Sequence, residues 1–174
     1  MKYTIENSIE ILERTPFVLN SLLTGLNHDW VMNNEGPDTF SPFDVIGHLI
    51  HGEKTDWVTR AKIILEFGLE KPFTPWDRFA QYEESKGKTL QEVLEEFERV
   101  RIENLQWLKS LKLNETDLDR KGMHPVLGEV TLRNLLTTWV VHDLTHIAQI
   151  TRVMAKQYKD EMGPWPEFFR ILNF

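Results

Sequence analysis

The chain has 174 residues, a formal net charge of −7, 41% hydrophobic residues and no cysteine. That length suits one domain over residues 1–174 whose core needs no staples. The acidic balance argues against nucleic acid and anionic membranes as partners, and the missing cysteine excludes disulfides, thiolate ligands and a thiol nucleophile of the chain's own.

Four long helical patterns are predicted. The first runs from Thr4 to Leu26 and contains Thr15-Pro16. A proline costs ~3 kcal/mol inside a helix but is favourable at its first position. A break or kink is therefore expected there, with Thr15 capping the second segment. The turn formers Asn33 to Asp38 make a loop. Ser41-Pro42-Phe43-Asp44 opens the second helix, with serine at the N-cap and proline at the first position, and the pattern continues to Phe67 before Gly68. Lys71-Pro72-Phe73-Thr74-Pro75-Trp76 cannot be regular helix and is expected to cross the bundle. Thr89 and Glu92 have capping-box spacing and open the third helix. The loop from His124 to Glu129 leads to Thr131 and a fourth helix reaching Tyr158. The apolar tail from Phe168 to Leu172 is expected to dock on the bundle, and no segment reads as a strand. The fold class is all-α, a single four-helix bundle. Its linkers between helices 1–2 and 2–3 are long for helix–helix connections, which suggests a crossover or a wall of a site.

His142 and His146 sit one turn apart on one face of the fourth helix, where the pattern otherwise places Leu132, Leu135, Trp139 and Ile150. Buried imidazoles are costly without partners, and a divalent metal held between facing helices is one way to satisfy them. A third ligand is expected from helix 2. His48 falls on its inward stripe, whereas His51 lies toward the flank. A set of His48, His142 and His146 favours Zn, Ni or Fe over Ca or Mg. Gly47 and Gly52 would let another helix come close. The zincin motif needs glutamate beside the first histidine; this chain has Asp143 there, and its position on the wheel points away from the histidine face, toward solvent. Arg101 and Asn104 fall near the inward stripe of helix 3, where a snorkelling arginine is the plain reading. His28 and His124 read as surface residues. Glu53 and His51 are weak candidates for a general base.

These stretches resemble the DinB-like superfamily, which includes the YfiT-like metal-dependent hydrolases and bacillithiol S-transferases. The resemblance rests on Ile11 to Pro16, on Gly47-His48-Leu49 with Glu53 and Trp57, and on His124 to Gly128 with Thr131-Leu132-Arg133. It also rests on His142 to Ile150 and on Gly163-Pro164-Trp165. It implies an up-down-down-up bundle with a long helix 2–3 crossover and a metal on His48, His142 and His146. It also implies a homodimer and a thiol-dependent enzyme using an external low-molecular-weight thiol. The leading expectation is such an S-transferase in detoxification or stress, acting on a small-molecule substrate, with Trp76 on a lid or wall. A metal-dependent hydrolase and a non-catalytic metal-binding or interaction protein are the alternatives. No apolar run approaches spanning length, and the first residues lack the apolar core of a secretory signal, so a cytoplasmic location is expected.

Overall fold

The computed structural model describes residues 3–173. Four long helical units build a bundle: α1 (Ile5–Leu23), α3 (Pro42–Thr55) continued by α4 (Trp57–Phe67), α6 (Leu90–Ser110) and α8 (Leu132–Lys156). Each of α1 and α3 packs against both α6 and α8, so α6 and α8 face one another across the centre. Short helices fill the connections: α2 (His28–Met32), α5 (Gln81–Ser85) and α7 (Glu115–Leu118). Among the described residues no helix is long and apolar enough to cross a membrane.

The helix starts follow local chemistry. Capping boxes close the N-termini of α3 (Ser41 with Asp44), α6 (Thr89 with Glu92) and α8 (Thr131 with Asn134), each satisfying amides that the first turn leaves free. Gly68 ends α4 at φ 59°, a conformation that glycine adopts without a Cβ clash.

Several expectations are corrected. Pro16 does not break α1, and Thr15 is no cap: its hydroxyl donates back to the Ile11 carbonyl within one continuous helix. Proline's missing N–H orphans the carbonyl four residues earlier, that of Leu12. Here the buried Arg101 of α6 donates to it through Nη1 at 2.8 Å, so a tertiary contact replaces the local one. Pro16→Ala should therefore stabilise the protein by about 1 kcal/mol rather than the ~3 kcal/mol typical of removing an interior proline. Urea unfolding checks this, and a gain near ~3 kcal/mol would mean that Arg101 does not substitute for the lost bond.

The second predicted helix is two, joined at Asp56 (φ −109°, ψ −80°), although the Asp56 amide and carbonyl still make helix-like bonds to Gly52 and Arg60. The loop before the fourth predicted helix is a hairpin, β1 (Lys121–His124) antiparallel to β2 (Gly128–Thr131). Its four-residue strands are too short and irregular to show alternation. In the tail only Leu172 is buried, while Phe168 stays exposed. The expected non-helical segment is observed from Lys71 to Trp76, with α5 beyond it lying on α3 at Gly47. A Cβ on Gly47 would come within 2.4 Å of the Ser85 hydroxyl. Gly52 instead faces Trp57 of its own chain segment.

Candidate metal centre

The register of α3 and α8 brings three imidazoles together. His48 Nε2 lies 3.2 Å from His142 Nε2, which lies 3.1 Å from His146 Nε2. Ligating atoms of all three fall within 4.8 Å of one another. Three nitrogens on one ion at ~2.0–2.1 Å, with angles between octahedral and tetrahedral, would stand roughly 2.8–3.4 Å apart. The His48–His142 and His142–His146 contacts match that spacing. His146 Nδ1 lies 2.8 Å from Gln149 Oε1, which accepts its proton. That bond leaves the Nε2 lone pair directed at the cluster, the role an outer partner plays around a metal-bound histidine.

Burial first, then the neighbouring His146 and Arg78, pushes His48 from 6.5 down to about 3. Burial, His146 and His48 push His142 down to about 2. His146 is lowered by burial as well, against opposing effects from Gln149 and Asp143. The three rings are thus neutral donors at neutral pH, which is the form a metal needs.

A consequence for metal-free protein follows from linkage. The unfolded chain protonates these histidines near 6.5, whereas the folded one holds His48 and His142 neutral to about 3 and about 2. Their contribution is fully present above 6.5 and is lost as the pH falls toward 3. Asp56 acts oppositely: burial raises it from 3.8 to about 6, so it adds stability as the pH falls through that narrower window. One carboxyl against the histidines leaves a net loss on acidification. The urea midpoint of metal-free protein should fall clearly between pH 7.5 and pH 5; an unchanged midpoint would contradict the burial-driven shifts.

The nitrogens open onto a cleft of about 450 Å³ that also has Phe40, Trp76, Arg78 and Arg152 on its walls. The Trp76 ring stands 4.9 Å from His48 and 5.3 Å from His51, and its indole N–H donates to the Thr55 hydroxyl at 2.9 Å. The segment carrying Trp76 is therefore a wall of the site. Arg152 forms a two-pronged pair with Glu35, at 2.8 and 2.7 Å. Arg78 lies over the Phe40 and Phe79 rings. A larger cleft of about 610 Å³ beside Trp30 and Tyr158 lacks the histidine cluster.

Other sequence candidates are placed differently. His51 is buried rather than flanking, and its Nδ1 lies 2.9 Å from Glu84 Oε1, away from the cluster. Glu53 is buried with both oxygens engaged: Arg101 and Trp139 donate to Oε1 and Asn104 donates to Oε2, all at 2.8 Å. Three side-chain donors already engage its carboxylate, and it does not line the cleft, so it is not placed to act as a base there. Asp143 is fully buried, not solvent-facing, and receives both guanidinium nitrogens of Arg101 at 2.6 and 3.0 Å. Arg101 itself is 1% exposed, so it does not snorkel. The signal was present in the 4-3-4-3 spacing of Leu132, Leu136, Trp139, Asp143, His146, Ile150 and Val153, all buried. That repeat passes through Asp143 and leaves His142 at its edge, beside the cleft. His28 is exposed as expected. His124 is half-buried, its Nδ1 accepting from the Val126 and Leu127 amides. Gln149 had no sequence signal beyond its place three residues after His146.

Comparison with curated proteins gives no match. Among solved structures, one from Bacillus subtilis superposes with a TM-score of 0.76 at 22% identity, covering 90% of each chain. That protein, YfiT, is described as a probable metal-dependent hydrolase with an unusual four-helix bundle topology. At this identity the likeness concerns the fold. The sequence profile of the DinB superfamily matches residues 11–150, a span holding all three clustered histidines, and the chain belongs to that superfamily.

Proposed function

We propose that the chain is a metal-dependent enzyme in which His48, His142 and His146 hold one divalent ion, Zn, Ni or Fe, at the cleft. The observation that carries this reading is the convergence of three neutral imidazole nitrogens at metal-ligand spacing on the floor of a small-molecule-sized cleft. When bound, such an ion lowers the pKa of a coordinated water or thiol, supplying a nucleophile at neutral pH. Imidazoles without a nearby fourth protein ligand leave coordination positions open, as catalytic sites do. His51, the one further histidine nearby, is engaged by Glu84.

The chain's own residues prepare the rest. Gln149 holds His146 in the tautomer that donates from Nε2. Trp76 covers the His48 side and keeps bulk water from it. Arg78 offers a cationic group to an acidic part of a substrate, while Arg152 is held by Glu35 on the same wall. The reaction we favour is transfer of an external low-molecular-weight thiol to an electrophile. Support comes from Glu53 and Asp143, whose carboxylates are consumed by Arg101 and Asn104. A thiol that ionises on the ion makes little demand for a separate general base. A hydrolase is the second reading, supported by the description of YfiT. The contacts also support an up-down-down-up topology: His48 meets His146 while Trp57 meets Trp139, so α3 runs against α8, and Tyr3 lies by Arg133, so α1 runs with α8.

Elemental analysis of tag-free protein, followed by turnover of a chloronitrobenzene electrophile with and without added thiol, tests the reading. One equivalent of metal and thiol-dependent turnover support it. Turnover of esters or amides without thiol would move the assignment to the hydrolase. Protein that takes up no ion after reconstitution would remove both.

A further inference from the structure

The centre of the bundle holds a buried ionic cluster that the proposed chemistry does not use. Arg101 of α6 meets Glu53 of α3 at 2.8 Å and Asp143 of α8 at 2.6 and 3.0 Å, all three side chains at most 1% exposed. Trp139 of α8 donates to the same Glu53 oxygen, and Asn104 of α6 donates to the other Glu53 oxygen and to the Glu53 backbone carbonyl. Two carboxylates and one guanidinium leave a formal charge of −1 in the core. Moving charges out of water costs several kcal/mol each, and a well-packed apolar replacement is commonly as stable. Stability alone is therefore a weak reason for this arrangement.

Its location is more informative. Glu53 lies five residues after His48 on one helix, and Asp143 directly follows His142 on another. We propose that Arg101 is a positioning residue for the metal centre. Its planar fork ties the helix carrying His48 to the helix carrying His142 and His146, and so sets the separation of their ring nitrogens. The inference rests on the metal-binding reading above. Three features make the fork suitable. A guanidinium presents fixed donors in one plane, which a lysine ammonium does not. The two-pronged contact with Asp143 sets rotation as well as distance. The third anchor is the Leu12 carbonyl, open because Pro16 has no amide proton, which fixes the guanidinium from the side of α1. The excess negative charge also sits where it favours a neighbouring cation held by neutral ligands.

The test uses the full chain with Arg101→Lys and, separately, Asp143→Asn, both keeping polar groups in the cluster. Three quantities are measured: Zn affinity by chelator competition, the ligand-field spectrum of the Co-substituted protein, and the histidine ring ¹H–¹⁵N correlations of metal-free protein. Urea midpoints are recorded alongside. Arg101→Lys should bind Zn roughly 10–100-fold more weakly, shift the Co bands and move the His142 and His146 ring signals while remaining folded. A variant that loses stability but keeps parental affinity, Co bands and ring signals would overturn the proposal and leave Arg101 a purely structural residue. Should the parent take up neither Zn nor Co, the metal reading fails separately. The ring signals of the metal-free proteins then decide: displaced rings sustain the positioning role and unmoved rings overturn it.

Discussion

His142→Ala is expected to strip the metal from the protein, whereas His51→Ala leaves it bound. Geometry separates the two histidines. His142 Nε2 sits within 3.1–3.2 Å of the other two ligating nitrogens, so its loss leaves an incomplete pair. His51 turns its Nδ1 to Glu84 instead. Structural zinc in small peptides is held with about 10–16 kcal/mol by four ligands, so one ligand accounts for ~3–4 kcal/mol, a few hundred-fold or more in Kd. Competition against a chromogenic chelator reads this directly. Equal affinities in the two variants would remove His142 from the ligand set.

Arg101→Met should produce the largest loss of stability among single substitutions in the core. It leaves Glu53 and Asp143 facing each other without a counter-ion where neither is exposed to water. Breaking a buried pair by deleting one partner costs about 3–5 kcal/mol. For a chain of this size that is a fall in Tm of roughly 6–20 °C. The exposed Arg99–Glu103 pair on the same helix is the internal comparison. Arg99→Ala should change Tm little, since pairs in water contribute at most ~1 kcal/mol. Calorimetry of the two variants side by side checks both statements; similar shifts would show that the central cluster carries no special weight.

Features encoded within one turn of helix were legible in the sequence. The caps at Ser41 and Thr89 depend on residues three apart, and both occur where the spacing places them. The pair His142 and His146 is legible for the same reason. Features decided between helices were not. The helix continues through Pro16 because Arg101, 89 positions from Leu12, takes the carbonyl that Leu12 is left with. Asp143 looked solvent-facing because the histidine face was taken as the centre of the packing stripe. The 4-3 repeat shows that the centre passes through Asp143, and the histidines border the cleft. Glu53 looked available because a one-letter neighbourhood does not show that Asn104 and Trp139 arrive from other helices to occupy it.

Through Arg101 the cluster touches Leu12, Glu53, Asn104 and Asp143, which belong to the four different long helical units. A helix cannot leave such an assembly without exposing buried charged groups of the others. Piecemeal opening is therefore penalised at one shared point, and the four units should exchange their central amides with deuterium in a single cooperative event. The hairpin and the tail from Phe168 to Leu172, which have no residue in that cluster, are free to open on their own and exchange first.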